Sequence, residues 1–446
     1  MRNILLTTAL ATLFTGVASA HSAHVEKTMK DSEGLSVSVG GSFDGQAATR
    51  SQKKSYTLAV DSQNNTYAQG ITPGNKNVGF NTVAAIHAIA KNKTVEGTTY
   101  GAQIGILATT RGQKPAGKSS LDRTFLFVEN DGMGRFEAGS NDGVASAMRT
   151  GADSIARATG GIDGDWYNYV ALTALINGRN IDNNNNLNAI PAPTTYLTKY
   201  QDDIIQDVIG GNEQSRKINY YTPEYNGFQA GLTYTPDARN SGQDNIGILG
   251  RLNSTENPYT QPAAKNAISG GLSWTGKFEK NQSLKVSVVG ETSNTTVTAA
   301  DKAAGNKYYD AKSVIVGGQQ YSYEDFSVAA SYGNQGKSGF AKNTTGVGLK
   351  GGSFWTLGAA YVQGPVGASV TYMNSTLNKN TLNLISLGLD YQVAPGLLPY
   401  AEVTYFNIKG KHLYIAPTAT APAATNTALA YKNKGTAFIL GTKLMF

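Results

Sequence analysis

The chain is 446 residues long, with 38 basic against 31 acidic side chains, a formal charge of +7 and no cysteine. An exported chain without thiols cannot be a disulfide scaffold, and thiol catalysis and cysteine-based zinc sites are excluded. Charges scattered singly rather than in blocks do not suggest a nucleic-acid partner.

The 51 glycines and 24 tyrosines suit turns and strands better than helices. A mean hydropathy of −0.29 would be wrong for a bundle of membrane helices and is natural where strand residues face lipid and water alternately.

The chain opens MRNILLTTALATLFTGVASA, with one cation at Arg2, an apolar run from Ile4 to Phe14 and a small-residue exit at Ala18, Ser19 and Ala20. This is the layout of a secretory signal peptide cut after Ala20, which divides the chain into residues 1–20 and a mature barrel domain, 21–446, of charge +6. The run is too short to anchor the chain across ~30 Å of hydrocarbon. No later apolar stretch reaches 18 residues, so any membrane spanning falls to strands.

Past a polar stretch, Leu35, Val37 and Val39 alternate with Ser36, Ser38 and Gly40 as a first strand, and further strands lie near Val78 to Ala90 and Thr98 to Ala108. Arg123 to Glu129 meets Arg135 to Gly139 across Asn130, Asp131 and Gly132, a hairpin signal in which Gly132 is expected to supply the positive φ. The alternation then stops. Gly134 to Tyr169 starts as a strand and continues as a small, glycine-rich segment bearing charges of both signs. No sustained period returns before about Gly211, and Asn183 to Asn186 suits an exposed loop tip. A loop of this composition reads as functional, and we expect it to fold back into a membrane-spanning barrel and set the size and charge of the pore.

Regularity resumes at Lys217 to Tyr221. A turn at Pro223, Asn226 and Gly227 then leads into Phe228, Ala230, Leu232 and Tyr234, interleaved with Gln229, Gly231 and Thr233. The same pattern recurs at Ile268 to Trp274, Phe326 to Tyr332, Trp355 to Tyr361, Ala368 to Tyr372, Leu387 to Val393, Ala401 to Tyr405 and Phe438 to Phe446. One face is apolar and ends in aromatics; the other is polar or small. In a soluble sandwich the apolar face would point inward. Aromatics gathered at strand ends, and tight turns alternating with long polar connections such as Lys409 to Lys434, favour a closed antiparallel transmembrane β-barrel with lipid outside. The final strand stops on Phe446.

These residues resemble the Gram-negative general porin family, particularly its alphaproteobacterial-type branch. The similar pieces are DRTFLFVENDGMGRFEAGSNDG, NYYTPEYNGFQAGLTYTP, YQVAPGLLPYAEVTYFN and the terminal GTKLMF. The resemblance implies a 16-stranded all-β outer-membrane barrel, usually a homotrimer, with an inward-folded constriction loop that offers acidic groups to basic wall side chains. It implies outer-membrane lipid and lipopolysaccharide, small hydrophilic solutes and ions, and the barrel-assembly machinery as partners, with Phe446 as the assembly signal and no cofactor. Carried onto this chain, the acidic loop candidates are Asp142, Asp153, Asp163 and Asp165, the last two in GGIDGDW. Arg123 is the wall candidate, bringing Phe125 and Phe127 inward with it, followed by Arg50 and Arg135. The chain departs from the family pattern in that Arg149 and Arg157 alternate the loop's sign.

The four histidines, His21, His24, His87 and His412, stand beside no nucleophile elbow, HExxH motif or phosphate-cradling loop, which argues against an enzyme. Metal binding by His21 and His24, or calcium on Asp163 and Asp165, lacks a full ligand set. A substrate-selective sugar or anion channel and a structural or adhesive surface barrel remain as alternatives.

Overall fold

A sheet whose outer face is apolar can lie in lipid only if every backbone edge is paired. The computed structural model meets this by closure. It describes residues 27–29, 34–56, 78–109, 121–170, 215–237, 263–279, 281–296, 311–336, 352–377, 380–410 and 431–446. The strands are β1 (Lys27–Met29), β2 (Ser36–Tyr56), β3 (Val78–Lys93), β4 (Thr99–Thr109), β5 (Leu121–Asn130) and β6 (Gly134–Ser140). After the loop come β7 (Arg216–Tyr221), β8 (Phe228–Asp237), β9 (Ala263–Phe278), β10 (Gln282–Thr296), β11 (Ala311–Tyr323) and β12 (Phe326–Gly336). The last are β13 (Gly352–Gln363), β14 (Val366–Leu377), β15 (Asn380–Tyr391), β16 (Leu397–Gly410) and β17 (Tyr431–Met445). From β2 onward each strand pairs antiparallel with its neighbours in sequence, and β17 pairs with β2 from Tyr431↔Tyr56 to Met445↔Ser42. The result is a closed barrel of 16 strands, with β1 added to β2 at Val37–Val39.

The alternation has the expected sense. Leu232, Tyr234, Ile268, Leu272, Val328, Tyr332, Trp355, Leu357, Leu387, Leu389, Val403 and Leu440 are exposed on the outside, while Thr233, Ser269, Ser331, Thr356, Ser386, Thr404 and Lys443 between them are buried on the inside. The inner face is not wholly polar. Phe354, Met373, Leu382, Leu384, Phe406, Ile408 and Ile439 form an inward apolar patch on β13 to β17, and the loop supplies its partner surface.

One end of the barrel is finished by tight turns. At Asn226 (φ 50) and Gly227 (φ 82) both residues take the left-handed conformation that a two-residue hairpin needs. At 131–133 the expectation for Gly132 is corrected. Met133 N–H bonds to Asn130 O at 3.1 Å, the Asn130 side chain accepts from Gly132 N–H at 2.9 Å, and the positive φ (81) falls on Gly134. A three-residue turn followed by a left-handed residue matches the strand twist, so the glycine is required one step later than a two-residue turn would place it.

The seam closes on the last residue. Gly41 N–H donates to Phe446 O at 2.7 Å, Phe446 N–H donates to Gly41 O at 3.0 Å, and the Phe446 ring occupies the space a side chain at Gly41 would need. The proposed signal segment, His21, His24 and Asn183 to Asn186 lie outside the described residues.

Candidate functional site: the inward loop

After Ser140 the chain leaves the sheet and enters the barrel. Arg123, on the inward face of β5, donates to the Asp142 carboxylate at 2.7 Å, and Asn219 Nδ2 donates to Asp142 O at 2.7 Å. The N–H of Val144 donates to Thr233 Oγ1 at 2.7 Å and opens α1 (Val144–Met148). Five residues are too few to hold a helix by propensity. Packing holds it instead: Val144 and Met148 lie on Gly231 and Gly271, where a Cβ would meet their side chains.

Past α1, Arg149 and Asp153 form an i,i+4 ion pair at 2.7 Å, their side chains only 5% and 3% exposed. The loop then runs along the wall in three short 3-10 turns, at Ala152–Ile155, Gly161–Asp163 and Asp165–Asn168. Wall hydroxyls accept its otherwise orphaned N–H groups. Thr356 takes Ala152 N–H at 3.3 Å, Ser369 takes Arg157 N–H at 2.9 Å and Thr371 takes Ile162 N–H at 3.1 Å. Buried backbone donors need such partners, and here the serines and threonines of the inner face supply them.

A charged attachment follows at Arg157. Its guanidinium reaches the wall carboxylate Asp390 through two bonds, Nε to Oδ2 at 2.9 Å and Nη2 to Oδ1 at 2.7 Å, the bidentate fork that favours arginine over lysine. Ala158 follows at φ 58, unfavourable for a residue with a side chain. It is held from both sides, its N–H by Asp390 at 3.2 Å and its carbonyl by Lys443 Nζ at 2.7 Å. Glu402, fully buried, accepts from Thr159 N–H at 3.1 Å, Thr159 Oγ1 at 2.8 Å and Gly161 N–H at 3.2 Å. Asp163 is half-buried in the second 3-10 turn.

Asp165 accepts from Gln46 on β2 and from Asn168 at 2.9 Å, and Tyr400 beside it donates to Asp44 at 2.6 Å. Trp166 is buried with its ring stacked on Phe406 at 6.2 Å and its Nε1–H donating to Ile162 O at 3.1 Å, so the underside of the loop meets the apolar wall patch. Tyr169 donates to Gln46 at 2.9 Å, and its carbonyl takes a bond from Arg50.

The expected site residues therefore divide. Asp142 and Arg123 meet in the anticipated sense, acid on the loop and base on the wall. Arg157 and Asp390 meet in the opposite sense. Arg149 and Asp153 pair within the loop. Arg135 bonds Glu129 at 2.6 Å and Glu137 at 2.7 Å and lies over the Phe127 ring at 4.5 Å, toward the turn end. Phe125 and Phe127 do point inward with Arg123, buried against neighbouring strands. Sequence reasoning missed Asp44, Gln46, Asp390, Tyr400, Glu402 and Lys443. Their signal was a charged or bulky residue at a small, polar alternating position.

A family model described as Gram-negative porin matches residues 7–411 of the chain. An uncharacterized protein of Rickettsia typhi is 31% identical over 417 residues, covering 85% of this chain and 88% of that one, and one of Rickettsia prowazekii is 31% identical over 420 with the same coverage. Among solved structures, an anion-selective porin from Comamonas acidovorans superposes with a TM-score of 0.52 at 15% identity, covering 92% of this chain and 100% of its own. Salmonella typhi OmpF in complex with daunomycin gives 0.50 at 12% identity, covering 94% and 100%. At these identities the structural likeness is one of fold.

Proposed function

The chain belongs to the Gram-negative porin family, and from that premise we propose that it forms a water-filled channel in the outer membrane for passive diffusion of small hydrophilic solutes and ions. The proposal includes export by residues 1–20, assembly as a homotrimer and insertion signalled by Phe446. The observation that supports it is the inward loop, fixed to wall strands from β8 round to β2 by side chains of both signs. No reaction chemistry is needed. The protein contributes a radius and a field, and opposed charges across a narrow passage orient water in a way that polar solutes match and apolar ones do not.

Loop packing concentrates on β8–β10 and β12–β17, so the passage runs beside the inward groups of β3 to β5, with Arg123 on one side and Asp163 and Asp165 on the other. With Arg149, Arg157 and Arg123 each already paired to a carboxylate, selectivity is weak, and Asp163 and Asp165 set its sign.

Reversal potentials across a planar bilayer under a salt gradient test this. Asp163→Asn with Asp165→Asn is expected to shift the potential toward anion preference while large conductance persists. An unchanged potential and conductance would remove both residues from the constriction, and a silent bilayer with folded protein would remove the channel itself.

A further inference from the structure

Where the loop's first 3-10 turn meets β10 and β11, the inner wall collects hydrogen-bond donors without acceptors. Lys285 of β10 is half-buried on the inward face and makes no ion pair or hydrogen bond among the described residues. Ser287, two residues further along the same face, is 2% exposed, and Thr150 of the loop is 1% exposed. Neither hydroxyl has a hydrogen-bond partner among the described residues. Buried hydroxyls are almost always paired, so two orphans beside an unpaired ammonium call for a common explanation.

Strand register holds these groups together. Ser287 stands directly opposite Gly318 of β11, and the Thr150 carbonyl occupies the space a side chain at Gly318 would need, so Thr150 lies over that pair. Lys285 stands directly opposite Gln320 of β11 and Thr275 of β9. Residues two apart on a strand are about 7 Å apart on one face, within reach of a lysine side chain. Gln320 Oε1 accepts from Ser154 Oγ of the loop at 2.9 Å, which leaves its amide N–H groups with only Ser322 Oγ at 3.5 Å.

Opposing charge is remote or already committed. Strands β9 to β12 hold one carboxylate, Glu291, six residues beyond Lys285 along β10 and about 20 Å away. In the loop, Asp153 is paired with Arg149 at 2.7 Å. Glu279, Glu324 and Asp325 lie at the turns on the rim. Lys277 of β9, exposed on the inward face nearer the turn end, forms no ion pair among the described residues either, and adds positive charge to the approach from that end. A monatomic anion answers the ammonium alone. An oxyanion spreads its charge over several oxygens and can accept from the ammonium, the hydroxyls and the amide together.

We propose that this junction of loop and wall binds a small oxyanion of the phosphate class, its oxygens taken by the Lys285 ammonium, the Ser287 and Thr150 hydroxyls and the Gln320 amide. The site rests on the channel reading only for the anion's route through the lumen. It lies on β10 and β11 rather than beside Arg123 on β5, and it uses neither Asp163 nor Asp165.

The test is phosphorus NMR of inorganic phosphate added to folded, detergent-solubilised protein, with sulfate and chloride as competitors. The wild-type protein is expected to broaden the phosphate line, and sulfate to reverse the broadening where equal chloride does not. Lys285→Gln should weaken binding about tenfold or more, as the loss of a charged hydrogen bond does, while Lys285→Arg should retain it. Ser287→Ala with Thr150→Val keeps every charge and should weaken binding about threefold or more. Lys409→Gln removes an exposed lysine from β16 and should leave the affinity unchanged. Heat-modifiable gel migration certifies each barrel, and the hydroxyl variant serves as the independent test should Lys285→Gln fail to fold. No broadening by the wild-type protein, equal affinity in Lys285→Gln or in the hydroxyl variant, or reversal by chloride as readily as by sulfate would each overturn the site. Binding is read without a membrane, so a silent bilayer would remove the channel and leave this site standing, and loss of phosphate binding would do the reverse.

Discussion

Arg157 and Asp390 show how much one wall position controls. The fork anchors the loop where the backbone is least comfortable, at Ala158, and the same carboxylate also receives the Ala158 N–H. Because the Arg157 side chain is 31% exposed, the pair belongs nearer the ~1.5–3 kcal/mol of a charged hydrogen bond than the ~3–5 kcal/mol lost on breaking a fully buried pair. Asp390→Asn and Arg157→Gln are each expected to raise open-channel current noise, and the double variant to be little noisier than either single one. Additive effects, or noise unchanged in all three, would show that the loop is held elsewhere. The sequence displayed Arg157 only as a break in the expected sign and Asp390 only as a polar alternate. Neither carries information about the other, because a contact spanning 233 positions depends on register.

Among the elements, legibility followed alternation and failed where the loop disturbs it. β8 reads cleanly because its outward Leu232 and Tyr234 face lipid and its inward Thr233 is a small polar residue whose hydroxyl accepts from Val144 N–H and donates to Asn219 Oδ1. β10 and β11 do not. Val288 and Val289 are adjacent because Val288 faces outward while Val289 packs inward with Val144 and Met148, and β11 contains Val314, Ile315 and Val316 in a row. The inward apolar patch of β13 to β17 was likewise invisible as a surface, since its partner, Trp166, lies in a segment with no period. Small residues mark the other half of this fit. Gly318 on β11 faces Thr150 so closely that a Cβ would overlap the Thr150 carbonyl, and at Gly388 a Cβ would come within 2.8 Å of the Arg157 carbonyl. Gly318→Val is therefore expected to lift the loop from the wall into the lumen. Single-channel conductance should fall, while heat-modifiable gel migration continues to report a folded barrel. An unaltered conductance would mean that the wall does not set the loop's position.

At the scale of the whole molecule, the fold follows from one sequence-level regularity, apolar and polar side chains alternating between lipid and lumen with every edge paired. What alternation could not give was the closure, which depends on the pairing of β17 with β2 across nearly the full chain. Removing Phe446 deletes both backbone bonds to Gly41 and the ring that covers it. The yield of heat-modifiable barrel in outer-membrane fractions is expected to drop severalfold, with Phe446→Tyr close to wild type; full yield without the residue would deny it any part in assembly.

Because Phe446 lies against Gly41, the polypeptide is a ring cut at one place. A circularly permuted gene, joining the carboxy terminus to the start of β2 through a short linker and opening between Leu377 and Asn380, should yield the same pore in vitro from refolded protein. Inside a cell the same permutant would lack a free terminal aromatic carboxylate, so its fate there would separate the geometry of the join from its reading by cellular machinery.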